Sequence, residues 1–367
     1  MSSAQGKVAI IGTVGVPARY GGFETLAEEL VRAAAMAGKA HRLTVWCSGP
    51  QTATPRPDHY LGAGLRYLPL RANGAQSIPY DALSLFQAAR SGHQSALLLG
   101  VSGALALPVL RATSSMRVIT NIDGMEWQRA KWRGAARMVL KRSEAVAVRW
   151  SHAVIADNPE IARHIRDSYG RMPVEIGYGH DITTYAPPAD LSDIALPPHY
   201  ALVMARAEPE NNLALIMGQF ADDPSMPPLV VLSNWDDTAY GQNLARRYRG
   251  HPNLHLLAAE YDPSRLAAIW ARATCYIHGH AAGGTNPALV TMMGQSLPIM
   301  AWDCLYNRAT TEGQAAFFTN ASGLRASVLA LADTPQGAGM GATLRAIAMR
   351  RYRWADVTGA YFRLLGL

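Results

Sequence analysis

The chain has 367 residues, 49% of them apolar and 17% charged, and a formal net charge of +7. That balance excludes a disordered chain or a coiled coil, and the length is enough for two domains. Three cysteines, Cys47, Cys275 and Cys304, show no metal-ligand spacing, and a sparse odd count fits a reducing cytoplasm.

The opening stretch, MSSAQGKVAIIG, enters a strand directly and lacks an apolar core with a cleavage site, which argues against a secretory signal. Strands are predicted over residues 7–13, 42–48, 65–70, 96–101, 117–122, 153–157 and 174–178. A second series covers 201–206, 229–234, 254–258, 275–278, 297–303 and 316–319. Helical patterns separate these short apolar runs, so parallel sheets with crossover helices are expected. The run 96–109 is too short to span a bilayer and is interrupted by Gly and Pro, so a soluble protein is expected. Between the two series, 184–199 (TYAPPADLSDIALPPH) is rich in Pro and reads as an interdomain linker. The prediction is α/β: two Rossmann-like, doubly wound domains facing across a cleft, with ligands at the carboxyl ends of the strands. The closing segment, MRRYRWADVTGAYFRLLGL, is helical and aromatic, but its spacing does not say which domain it packs on.

Charge is unevenly shared. Residues 1–190 carry 21 Lys/Arg against 14 Asp/Glu, and residues 191–367 carry 13 of each. Much of the excess lies between Arg129 and Arg149, interleaved with Trp127, Trp132, Met138 and Trp150. A basic helix with aromatic flanks can lie on an anionic membrane surface, or it can be a solvated face beside a core stripe. Nucleic acid is not expected, because no binding module accompanies the basic stretch.

Four segments carry chemistry. Residues 12–24, GTVGVPARYGGFE, form a long Gly-rich loop between the first strand and a helix, and match neither the dinucleotide fingerprint nor a Walker motif. Such a loop suits closure over a substrate or serves as a plain connection. Residues 121–132, NIDGMEWQRAKW, leave a strand end, so Asp123 and Glu126 face the expected cleft and can orient a sugar hydroxyl. Asp123 can equally cap the following helix. Arg206 ends the first strand of the second series and can grip a diphosphate without a metal, or pair with Glu208 or Glu210. Residues 278–303 join a strand, a Gly-Gly-Thr-Asn-Pro turn, a helix and another strand. The turn lets a ligand approach the backbone, and Pro287 suits a first helical turn whose N–H groups and dipole favour an anion. His278 and His280 have no third ligand close in sequence, so a metal site is not expected. A nucleophile elbow and a Cys–His dyad are both missing.

IGTVGVPARYGGFETLAEEL, NIDGMEWQRAKW, ARAEPENN and HGHAAGGTNPALV with DCLYNRATTEG resemble bacterial glycosyltransferase family 4, in the group of the β-1,4-rhamnosyltransferases of capsule and exopolysaccharide assembly. The resemblance runs from Lys7 to the last helix. It implies a GT-B fold, with an acceptor-binding domain over 1–185, a linker over 186–199 and a nucleotide-sugar-binding domain over 200–345. Residues 346–367 then form a helix crossing back to the first domain. It also implies metal-independent, retaining transfer of a hexose, foremost rhamnose from dTDP-rhamnose, to a lipid diphosphate-linked saccharide. Capsule, exopolysaccharide or O-antigen synthesis at the inner face of the plasma membrane is the setting, without cofactor, and the segment from Arg129 to Arg149 would meet the membrane.

By the same resemblance, Arg206 binds the diphosphate. Gly283, Gly284, Thr285 and Asn286 contact the donor sugar and phosphate, Gly21 and Gly22 lie near the phosphates, Asp123 and Glu126 serve the acceptor, and Tyr261 holds the nucleobase. The sequence departs from the family at three positions. Gly283 and Thr291 stand where the family places two glutamates, the first already glycine in this group, and Asn211 replaces a lysine. Losing the glutamate at Thr291 removes a charge-assisted bond worth about 1.5–3 kcal/mol, which is about tenfold or more in donor affinity. Alternative readings are a noncatalytic nucleotide-sugar-binding partner of a transferase, a transferase of UDP- or GDP-hexoses, and an epimerase or hydrolase on the same scaffold.

Overall fold

The computed structural model describes residues 6–19, 21–52, 54–125, 127, 134–181 and 188–367. Two compact units divide the chain: Met1–Tyr178 with Trp354–Leu367, and Gly179–Arg353.

The first unit is built on β1 (Val8–Ile11), β2 (Leu43–Ser48), β3 (His59–Tyr60), β4 (Ala63–Leu68), β5 (Ser95–Leu99), β6 (Arg117–Ile122), β7 (Ala153–Ala156) and β8 (Val174–Glu175). Their order in the sheet is β3-β4-β2-β1-β5-β6-β7-β8, and every pairing is parallel except β3 with β4. Helices α1 (Gly22–Met36), α2 (Ser77–Arg90), α3 (Leu107–Thr113), α4 (Gly134–Trp150) and α5 (Pro159–Tyr169) connect them. Helices on both faces leave the central strands VAII and SALLL fully buried, in keeping with their near-continuous apolar runs.

The second unit holds β9 (Tyr200–Met204), β10 (Leu229–Ser233), β11 (Leu254–Ala258), β12 (Ala273–His278), β13 (Ile299–Trp302) and β14 (Ala316–Phe318), all parallel, in the order β11-β10-β9-β12-β13-β14. Its helices are α6 (Leu213–Asp222), α7 (Ala239–Tyr248), α8 (Pro263–Trp270), α9 (Pro287–Gly294), α10 (Leu305–Thr310), α11 (Ala321–Leu331) and α12 (Pro335–Arg351). Residues 188–199 are folded onto this unit: Leu191 is buried, Ala189 N–H donates to the Ser264 carbonyl at 3.0 Å, and Arg265 pairs with Asp193 at 2.9 Å. The final helix, α13 (Trp354–Leu365), belongs to the first unit, where it packs on α1 and buries Trp354, Val357, Tyr361 and Leu365.

Each predicted strand run holds an observed strand, and β3 is the addition. Two residues are too few to show alternation, and the turn after it uses Leu61 and Gly62 at φ 48° and 87° rather than the usual Asn-Gly pair. Both sheets reverse direction beside their first strand, between β1 and β5 and between β9 and β12. Loops at the carboxyl ends of those strands are where open α/β sheets bind ligands. Glycine permits close packing at each: a Cβ on Gly12 would lie 2.2 Å from the Leu99 carbonyl oxygen, and one on Gly279 would lie 2.2 Å from that of Asn211. Among the described residues no helix is long and apolar enough to cross a membrane.

Candidate functional site

In the second unit the β9 and β12 loops are stitched together. Asn212 donates its side-chain amide to the Gly279 carbonyl at 2.8 Å, and Ala281 N–H donates to the Glu210 carbonyl at 3.0 Å. The buried Asn211 donates its amide to the Arg206 carbonyl at 2.9 Å, which fixes the turn carrying the half-buried arginine. Asn307 of α10 ties the next strand in, bonding the carbonyls of His280 at 2.9 Å and Trp302 at 2.8 Å. That bond explains why the segment after β13 belongs with the Gly-Gly turn.

The turn itself leads into α9. Gly283 adopts φ +111°, a conformation in which a side chain is strained. Asn286 caps the helix by accepting from Ala288 N–H at 2.9 Å, and Pro287 fills the first position. Thr285 and Thr291 are buried, Thr291 within α9. Behind the turn, His278 is fully buried and its ring stacks on His280 at 4.3 Å. Burial first, then His280, holds the His278 pKa well below the usual histidine range, so it is neutral at physiological pH. Its Nε2 has no hydrogen-bond partner among the described residues. Tyr261 is exposed on the loop after β11, at the same carboxyl edge of the sheet.

In the first unit, two glutamates one helical turn apart on α1 hold the Gly-rich loop. The buried Glu24 accepts from Val14 N–H at 2.7 Å and from the Thr13 hydroxyl at 3.0 Å. Glu28 accepts from Ala18 N–H at 2.6 Å and from the Tyr60 hydroxyl at 2.6 Å. The loop is pinned where its sequence suggests freedom, because α1 turns both carboxylates back onto it. Gly21 caps α1 with extended backbone and Gly22 begins it.

Asp123 follows β6 and Asp157 follows the neighbouring β7. Facing them are Tyr178 and Tyr361, whose hydroxyls are pushed well above the ordinary range by burial and then by the charges of Asp157 and Asp123. Both tyrosines therefore stay protonated, and Tyr361 accepts from the Asn121 side-chain amide at 2.8 Å. Carboxylates beside neutral hydroxyls can orient a polyhydroxylated ligand. Sequence reasoning passes over Asp157, Tyr178, Tyr361, Glu24 and Asn307. The strand-end rule that finds Asp123 also reaches Asp157; Tyr361 is 240 positions from its partner and has no local signal.

The structure thus brings Arg206, Asn211, Gly283, Gly284, Thr285 and Asn286 to one switch point, with Thr291 on the helix behind the turn. Asp123, Gly21 and Gly22 lie on strand-end loops of the first unit. Glu126 lies outside the described residues, as do residues 128–133 of the basic stretch. Among the described residues, no group of three or more His, Cys, Asp or Glu is placed to hold a metal ion.

Two doubly wound sheets with loops of this kind define the GT-B class of fold. Residues 5–181 match a family described as a domain of unknown function, DUF1972. No curated protein matches by sequence. Among solved structures, sucrose-phosphate synthase from Thermosynechococcus elongatus is similar over 98% of this chain and 99% of its own, with TM-score 0.80 and 16% identity. HepE from Anabaena, in complex with UDP-glucose, matches over 98% and 99%, with TM-score 0.71 and 14% identity. The trehalose 6-phosphate synthase of Burkholderia multivorans matches over 98% and 96%, with TM-score 0.72 and 10% identity.

Proposed function

We propose that the β9 and β12 loops bind the diphosphate of a nucleotide sugar and that the protein is a metal-independent, retaining glycosyltransferase. The donor is a hexose, foremost rhamnose on deoxythymidine diphosphate, and the acceptor is a lipid diphosphate-linked saccharide of capsule, exopolysaccharide or O-antigen synthesis. One observation carries this reading: Arg206, a glycine turn and the capped start of α9 converge on one switch point. A guanidinium, a backbone free of Cβ atoms and a helix N-terminus each favour a diphosphate. The structure of HepE with UDP-glucose supports it as a relative in fold.

Leaving-group charge is stabilised by Arg206, by the Asn286 backbone and by the α9 dipole. Asp123, with Glu126, orients the acceptor hydroxyl, which attacks from the leaving-group face, and the departing phosphate takes its proton. No enzyme nucleophile takes part. Tyr261 holds the base. The acceptor's lipid is met at the membrane by α4, which exposes Arg137, Met138, Lys141, Arg142 and Arg149. Each basic residue near an anionic surface contributes about 1 kcal/mol. Replacing Arg137, Lys141 and Arg142 by Ala is therefore expected to weaken binding to phosphatidylglycerol vesicles by more than tenfold; unchanged vesicle binding would remove the membrane from the reading.

Calorimetric titration with dTDP, UDP, GDP and ADP, without metal, tests the donor site. Micromolar binding of one of them that is lost in Arg206→Ala is expected. A second reading, a noncatalytic binding partner of a transferase, is favoured by Thr291 and Asn211. One is packed inside the fold and the other spends its amide on the Arg206 carbonyl, so neither restores the missing charge. Nucleotide binding without sugar transfer to any lipid-linked acceptor would select that second reading. Failure of all four nucleotides would sink both.

A further inference from the structure

At the amino ends of the first unit's strands, opposite the loops described above, lies a groove of about 520 Å³. Its size suits a small molecule larger than a bare ion. Lys7, His41, His59, Arg66 and His93 line it, with Asp58 as the one carboxylate. Neither Lys7 nor Arg66 makes an ion pair among the described residues. Both cations act on the buried His93, whose pKa is lowered by burial and then by Lys7 and Arg66. The imidazole is held in place: Nδ1–H donates to the Ala88 carbonyl at 3.1 Å, and Nε2 accepts from the Thr44 hydroxyl at 3.1 Å. The two large apolar side chains of the lining, Leu43 and Leu65, are buried, so the groove offers a lipid surface nothing to hold.

We propose that this groove is a second ligand site, for a small hydroxylated phosphate ester. Lys7 and Arg66 bind the phosphate, His41 and His59 contribute donors at the rim, and Asp58 accepts a ligand hydroxyl. Gly62 and Gly64 keep the space open. A Cβ on Gly64 would meet nothing nearer than the Thr44 hydroxyl at 3.7 Å, so a larger residue there fills the groove without a backbone clash. The site is independent of the nucleotide reading, because no residue of the β9 or β12 loops takes part.

The test is calorimetric titration of the full chain with glycerol 3-phosphate and with inorganic phosphate. Saturable binding of glycerol 3-phosphate, tighter than that of phosphate, is expected. Losing two charge-assisted contacts should weaken it by about tenfold or more in the Lys7→Ala/Arg66→Ala double variant. Gly64→Leu should abolish it, while Arg206→Ala should leave it unchanged. Both cationic positions are exposed, so the double variant should keep the wild-type melting midpoint. Absence of saturable binding overturns the proposal. So does binding that survives the double variant or disappears with Arg206→Ala, since the ligand would then sit elsewhere.

Discussion

Glu24 decides the shape of the loop after β1, because its carboxylate takes both Val14 N–H and the Thr13 hydroxyl inside the first unit. Removing it leaves two buried donors without an acceptor, a loss that mutational series place at about 1–3 kcal/mol per group. Glu24→Ala should therefore destabilise the protein by about 2 kcal/mol or more in urea unfolding, and Glu24→Gln by less. An unchanged midpoint for Glu24→Ala would show that the loop does not depend on it. Gly283 illustrates a different cost. Nothing lies within 4 Å of its Cβ direction, but φ is +111°. Gly283→Ala should cost about 1–3 kcal/mol through backbone strain alone.

Among elements, the β9 and β12 loops form one unit of structure because backbone meets backbone at Gly279. Gly279→Ala would drive a Cβ into the Asn211 carbonyl, which cannot swing aside as a side chain can. It should lower the melting midpoint more than Gly283→Ala and also loosen the turn that carries Arg206. Equal midpoints for the two variants would contradict the packing. The last helix, α13, makes a second element-level prediction. Its buried Trp354, Val357, Tyr361 and Leu365 each contribute about 1.5–3 kcal/mol if fully removed from water, and Tyr361 also bonds Asn121. Ending the chain at Arg353 should therefore leave the first unit unfolded or aggregating at 25 °C, seen as lost circular dichroism and poor solubility. A truncated chain with the wild-type midpoint would refute the role.

For the whole molecule, the buried histidines set the acid side of stability. His93 in the first unit and His180 and His278 in the second are buried and have pKa values lowered chiefly by burial. Below about pH 6.5 the unfolded chain takes up protons that the folded chain refuses, so stability falls with pH. Asp81 works in the opposite direction, since burial raises its pKa and folding favours its protonated form. Removing Asp81 isolates the histidines: in an Asp81→Asn background the melting midpoint should drop between about pH 7.5 and 5.5, and by more than in the wild type. A midpoint that rises on acidification in that background would refute the assignment.

Local pattern determined much of this protein. Largely apolar runs of four to six residues between helical patterns locate the parallel strands, because a strand buried on both faces reads as a near-continuous apolar run. Glycine, proline and asparagine at strand ends mark the turn before α9, because only certain residues fit a tight turn and a helix cap. Arg206 and Asp123 are visible for the same reason: a charged residue closing an apolar strand has to face out of the sheet. Tertiary structure alone decided the rest. The pairing of Asn121 with Tyr361 and the groove that unites Lys7, Arg66 and His93 join residues distant in the chain. Such contacts depend on how strands are ordered across a sheet and on which unit the last helix joins. Neither quantity leaves a periodicity in the sequence.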